Sequence, residues 1–184
     1  MGQYWKCVNL DKREFINSYK LGSGLKLWEQ LANHPGTGAA LITLCAAMPE
    51  SRGGGDLSLC SDDEDYDAIA ARTIGRWAGD RIALVGDYAE RSDLPLEDDA
   101  DLIYYLCCNE NEIRSCAAYW EKCEWTDDPE TKALYTDKAH RLRAAEPYTD
   151  ITDDVCAVIE CELQGHFVGS GWREFEYDSE RKGE

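Results

Sequence analysis

Apolar positions recur along this chain with two different periods. From Gln3 to Tyr19 they bracket a polar stretch: Tyr4, Trp5, Cys7 and Val8 precede Asn9-Leu10-Asp11-Lys12, and Phe15, Ile16 and Tyr19 follow it, which predicts a hairpin of two strands. Beyond it the spacing becomes helical. Leu27, Trp28 and Leu31 share one face over Gly24 to Asn33, with Ser23 as cap and His34-Pro35-Gly36 as stop. Ala40, Leu41, Leu44, Cys45 and Met48 form the stripe of a second helix from Thr37, and Tyr66, Ile69, Ala70, Thr73 and Trp77 that of a third. The third is entered through a capping box, Ser61 with Glu64, and Gly79 supplies its left-handed stop. Arg81 to Val85, closed by Gly86-Asp87, reads as a buried strand, and Leu102 to Cys107 as another, with Ser92 to Asp101 an acidic surface loop between them.

The second half is mostly helical. Asn109 and Glu112 make a further capping box, opening a helix whose apolar stripe is Ile113, Cys116, Ala117, Trp120 and Cys123. Asp128-Pro129 begins the next, which carries Asp137 and Arg141 at i, i+4 and ends before Pro147. Thr152 caps a last helix with Val155, Val158, Ile159 and Leu163 inward, and His166 to Tyr177 reads as a final strand. These elements predict one α+β domain over residues 1–177, a mainly antiparallel sheet of about five strands packed with five to six helices, followed by a short charged tail at 178–184.

Charge changes the picture from fold to partner. The 184 residues hold 37 acids against 19 Lys and Arg, a net charge of −18. Residues 1–92 contain 13 acids and 10 bases, net −3, whereas residues 93–184 contain 24 acids and 9 bases, net −15. Such a surface repels phosphates, which excludes nucleic acid as a direct ligand, and it favours a basic protein as partner. With 43% hydrophobic residues, six Trp and ten Tyr, the chain is too apolar for a disordered acidic tail.

Nine cysteines form no C-x-x-C pair, and His34, His140 and His166 stand at no zinc-ligand spacing, so neither metal nor cofactor is predicted. Their odd number and the lack of a signal peptide predict reduced thiols in a cytoplasm. The longest apolar run, Ala39 to Met48, is half of a membrane span, so no membrane is expected. Met1-Gly2 opens like a myristoylation site, but Lys6 occupies the Ser/Thr position.

Three motifs invite chemistry. Asp63, Asp65 and Asp67 alternate as in a calcium loop, yet Ala68 and Ile74 replace its Gly and its bidentate Glu, and acids in a first helical turn explain the run. Arg52-Gly53-Gly54-Gly55-Asp56 is either a tight or flexible loop or a nest of backbone N–H groups for an anion, with Arg52 adding donors. Asp87 and Tyr88 end the Arg81 strand, where Gly-Asp makes a turn or Asp87 with Tyr88 lines a site. Asp80, at the other end, stands roughly 20 Å away at about 3.3 Å per residue, too far to share a proton with Asp87. The tryptophans read mainly as core, and no thiol stands out as a nucleophile.

Met1-Gly2-Gln3-Tyr4, Val8-Asn9-Leu10-Asp11-Lys12, Arg52-Gly53-Gly54-Gly55-Asp56 and Trp77-Ala78-Gly79-Asp80-Arg81-Ile82 with Gly86-Asp87-Tyr88 resemble an uncharacterised family of hypothetical proteins from bacteria and phages. The likeness covers roughly residues 1–90 well and the remainder loosely, and implies a bacterial or phage cytosolic setting, with no activity to carry over. The expected function is a non-enzymatic interaction protein, an inhibitor or nucleic-acid mimic that docks on a basic, nucleic-acid-binding surface. Glu121, Glu124, Asp127, Asp128, Asp153, Asp154 and Glu160 form its expected contact set. The alternative is a binding protein or enzyme for a small anionic ligand or nucleotide, using Arg52, Gly53, Gly54, Gly55, Asp56, Asp87 and Tyr88. The residues carry no signature that decides whether catalysis occurs.

Overall fold

The hairpin forms where the apolar pattern puts it. The computed structural model describes residues 3–22, 26–32, 36–47, 64–94 and 100–162. In it β1 (Trp5–Asn9) and β2 (Glu14–Ile16) pair antiparallel, with Cys7 opposite Ile16, Val8 opposite Phe15 and Asn9 opposite Glu14. Asn9 builds the turn: its Oδ1 accepts from the N–H groups of Asp11 and Lys12, each at 2.9 Å. Arg13 completes it at φ 54°, in the left-handed region.

Five elements follow: α1 (Leu27–Ala32), α2 (Gly36–Cys45), α3 (Glu64–Thr73), β3 (Ile82–Gly86) and α4 (Ala100–Leu106). Then come α5 (Glu110–Lys122), α6 (Pro129–Ala144), β4 (Thr149–Asp150) and α7 (Thr152–Glu162). The sheet runs β3-β1-β2-β4. The α+β class stands, but among the described residues the sheet is mixed and four-stranded rather than mainly antiparallel with about five strands, and the helices there number seven.

The main cause is Leu102 to Cys107, which is helix α4 and not a strand. A strand would bury every second residue; here Leu102, Ile103 and Leu106 are buried while Tyr104 and Tyr105 are half-buried, the i, i+1, i+4 pattern of a helix. Asp101, expected in a loop, is in its first turn and buried. The strand expected over His166 to Tyr177, the Ser61 and Ser23 caps and Met48 lie outside the described residues.

The chain clusters into two compact units, Met1–Leu84 with Asp150–Glu184, and Val85–Thr149. In the first, Ile16, Leu21, Leu44, Trp77, Val155 and Ile159 share one buried core. A fully buried aliphatic side chain of this kind stabilises by about 1.5–3 kcal/mol. Trp77 is not on α3 as expected, because that helix stops at Thr73 rather than at Gly79. The stop is Gly75, at φ 72°, whose N–H donates to the Thr43 carbonyl at 2.9 Å; a Cβ there would clash with the Ala46 carbonyl oxygen. Trp77 is thereby turned inward, and its N–H donates to the Leu44 carbonyl at 2.8 Å.

Three other expectations are corrected in this unit. Trp28, assigned to the inner face of α1, is 77% exposed, and Cys45, assigned to the α2 stripe, is exposed. Thr152 does not cap α7 with its hydroxyl: its Oγ1 accepts from the Asn17 N–H at 2.7 Å and donates to the Asp150 carboxylate, which also receives the Thr152 N–H at 2.9 Å. Asp150 is the residue that holds the start of this helix.

In the second unit α5 and α6 form as their caps predict. Asn109 and Glu112 exchange both capping-box hydrogen bonds, at 3.0 and 3.1 Å, and Ile113, Ala117 and Trp120 face inward. Cys123 ends α5 at φ 41°. Asp128 accepts from the Thr131 N–H at 2.9 Å and Pro129 occupies the first turn of α6. No helix among the described residues is long and apolar enough to cross a membrane.

Candidate functional site

The residues expected to bind a small ligand are only partly described. Arg52, Gly53, Gly54, Gly55 and Asp56 lie outside the described residues. Asp87 and Tyr88 follow β3; the Asp87 carbonyl accepts from the Tyr105 hydroxyl at 2.9 Å, and Tyr88 is exposed. The quoted Val8–Lys12 and Trp77–Ile82 motifs do come together, as a structural network. Asp80 accepts from Asn9 Nδ2 at 2.7 Å and Lys12 Nζ at 2.5 Å, while Arg81 Nε donates to Asp11 at 2.7 Å. Beside them buried Glu14 accepts from the Arg76 guanidinium at 2.5–3.0 Å and from Trp77 Nε1 at 2.8 Å.

Most of the expected acidic contact set is already engaged. Glu121 pairs with Arg143 at 2.6 Å, with His140 at 3.9 Å, and Asp127 with Lys132 at 3.7 Å, while Asp128 is the α6 cap. In the other unit Asp153 pairs with Lys20 at 2.9 Å and Asp154 takes a bidentate grip from Arg72 at 2.8 and 2.9 Å. The Arg72 and Arg143 hydrogen bonds hold Asp154 and Glu121 below the ordinary carboxylate range. Glu124 and Glu160 are exposed and make no ion pair among the described residues. The seven acids thus belong to two units and differ in availability.

Beside the acids of the second unit lies a surface that the sequence did not announce. Tyr119, 61% exposed, stacks on Trp125, 42% exposed, with centroids 4.6 Å apart and planes 20° from parallel. Trp125 meets the Tyr135 edge at 5.2 Å, and Tyr135 in turn meets buried Trp120 at 6.0 Å. The left-handed turn at Cys123 is what folds Trp125 back onto α5. The sequence reads the tryptophans mainly as core; only Trp77 and Trp120 are buried among those described, and Trp125 is not.

A second feature is a cleft of about 320 Å³ between Ala89–Arg91 and the Leu134, Tyr135, Asp137, Lys138 and Arg141 face of α6, with Asp101 at its base. Arg141 grips Asp101 with two N–H donors at 3.2 and 2.9 Å and gives its Nε to Asp137 at 3.0 Å. Burial pushes the Asp101 carboxyl up, but the Arg141 hydrogen bonds and the charges of Lys138 and Arg91 outweigh it and hold it below the ordinary range. Lys138 lies 5.1 Å over the Trp120 ring and 5.6 Å over Tyr105. Burial lowers its affinity for a proton, which the Asp101 charge only partly restores. Of this cluster only the Asp137–Arg141 pair is read from the sequence; the spacing of positions 134, 138 and 141, four and three apart on one helical face, is the signal that points to the rest of the α6 lining, and nothing local points to Asp101.

Cys7, Cys45, Cys107, Cys108, Cys116, Cys123 and Cys156 are free thiols. Burial pushes Cys7 up to about 12 and Cys116 and Cys156 up to about 11, which disfavours all three as nucleophiles at neutral pH. Compared with known protein families, curated proteins and solved structures, the chain matches none.

Proposed function

We propose that this is a non-enzymatic interaction protein, of bacterial or phage setting, which captures an arginine-rich segment of a nucleic-acid-binding protein. The observation that carries the reading is the exposed Tyr119–Trp125 stack, joined in the chain by Glu124 and Asp127. A guanidinium lying over such rings gains cation–π attraction, about 0.5–2 kcal/mol depending on desolvation, while carboxylates nearby satisfy its donors. Glu121, Asp128, Asp153 and Asp154, held by their own partners, act through the long-range field that steers a basic chain, and exposed Glu160 adds to it. Within the −15 half this narrows the direct contacts to Tyr119, Trp125, Glu124 and Asp127, the last a fully exposed carboxylate that Lys132 approaches only at 3.7 Å, too far for a hydrogen bond.

The test is binding of a fluorescent arginine-rich peptide, a lysine-only peptide of equal charge and an acidic control. Wild type is expected to prefer arginine over lysine, and Tyr119→Ala with Trp125→Ala to erase that preference while leaving the salt dependence. Glu124→Lys with Asp127→Lys is expected to weaken both basic peptides. Equal binding of all variants, or equal affinity for arginine and lysine in wild type, overturns the reading.

A further inference from the structure

We propose that the cleft between Ala89–Arg91 and α6 binds a free α-amino acid with an apolar side chain. Its donors carry the first part of the case. Arg141 is engaged with both carboxylates, but Arg91 reaches Asp101 and Asp137 only at 3.8 and 3.6 Å, and Lys138 reaches Asp101 only at 3.6 Å. Those separations are too long for hydrogen bonds. A planar guanidinium 60% exposed and an ammonium 15% exposed therefore present N–H donors to one cavity. A carboxylate supplies two coplanar acceptor oxygens for such a fork, with the ammonium as a point charge beside it.

Charge decides between a bare anion and a zwitterion. Arg91, Lys138 and Arg141 face Glu90, Asp101 and Asp137, so the lining is electrically balanced. A simple anion would bring uncompensated charge into a molecule already at −18, whereas a zwitterion keeps the balance. Its ammonium has Asp137, a carboxylate 60% exposed, and Glu90 to meet. Leu134, exposed on α6, offers the apolar wall for the side chain. The volume, about 320 Å³, falls at the small end of ligand cavities and suits a single amino acid. Lys138 is fixed over Trp120 and Tyr105 before any ligand arrives, so little ordering accompanies binding. None of the four residues proposed to contact a basic partner lines this cavity, so the two readings stand or fall separately.

The full-length protein is titrated with L-leucine, 3-methylbutylamine and 4-methylpentanoate, followed by two-dimensional amide NMR and thermal unfolding. L-Leucine is expected to move the amides of residues 89–91 and 134–141 and to raise the unfolding temperature. Each analogue, lacking one charge, is expected to bind about tenfold more weakly or worse. Arg91→Gln, at a largely exposed position whose ion pairs at 3.8 and 3.6 Å contribute little to stability, should weaken leucine about tenfold while the unliganded unfolding temperature falls only slightly, and Lys138→Gln should weaken it further. If no amino acid shifts those amides up to about 10 mM, the proposal is overturned. Equal binding of 4-methylpentanoate, or unchanged affinity in Arg91→Gln, overturns it as well.

Discussion

At the scale of the residue, Asp101 shows how one buried charge organises its surroundings. Its carboxylate is held by Arg141 and approached by Lys138 and Arg91, which keeps its folded pKa below the ordinary value. A depressed carboxylate stabilises the fold at pH above its unfolded value, and that contribution is lost as pH falls through the folded one. Asp101→Asn leaves Lys138 and Arg141 without their buried counter-charge, and removing one partner of a buried pair costs about 3 kcal/mol at neutral pH. Urea unfolding at several pH values is expected to show the gap between wild type and Asp101→Asn shrinking steadily as the pH falls into the acid range. A gap independent of pH would show that the hydrogen-bond geometry, and not the charge, holds this site.

Among the elements, helices with local start signals were legible and their tertiary stops were not. The capping box of Asn109 with Glu112 and the Asp128-Pro129 entry are short-range chemistry, satisfied by backbone groups within three residues, so composition alone places them. The end of α3 is different. Both Gly75 and Gly79 take positive φ, but only Gly75 sits against another backbone, the Ala46 carbonyl, which an added Cβ would strike. The contact comes from a segment nearly thirty residues away and is invisible in local pattern. Gly75→Ala is therefore expected to destabilise by at least about 2 kcal/mol, combining a left-handed backbone with a steric clash, whereas Gly79→Ala meets open space and carries only the strain of its backbone angle. Thermal unfolding of the two single variants measures the difference, and equal losses would refute the assignment of Gly75 as the stop.

For α4 the same limit appears in another form: Leu102, Ile103, Tyr104, Tyr105 and Leu106 are all apolar or aromatic, so neither period is written into them. The buried side of this segment is set by α5, α6 and the Asp101–Arg141 pair, which reward a helix. Trp125 illustrates the opposite failure. A tryptophan defaults to the core, but the turn at Cys123 directs it onto Tyr119 at the surface.

Across the whole molecule a net charge of −18 governs behaviour. Self-repulsion opposes folding, while many exposed ion pairs, such as Glu121 with Arg143 and Asp153 with Lys20, contribute little individually. Raising salt from about 10 mM to about 150 mM shortens the screening length from roughly 30 to 8 Å. Net repulsion outlasts the pairs at long range, so the free protein should gain thermal stability while its capture of a basic peptide weakens. A fall in unfolding temperature over that range would show that the ion pairs outweigh the repulsion.

What the chain determined by itself was whatever acts over a few residues or over all of them: the hairpin with its Asn9 turn, the caps of α5 and α6, the α+β class and the concentration of acid beyond Ser92. Tertiary structure decided which carboxylates are neutralised, which aromatic rings stay outside and how Asp101 meets Arg141 forty residues on. The physical reason is range. Hydrogen bonds to neighbouring backbone groups and the sum of charges are encoded at each position, but a cleft or a stack exists only once packing has chosen which distant side chains share a surface.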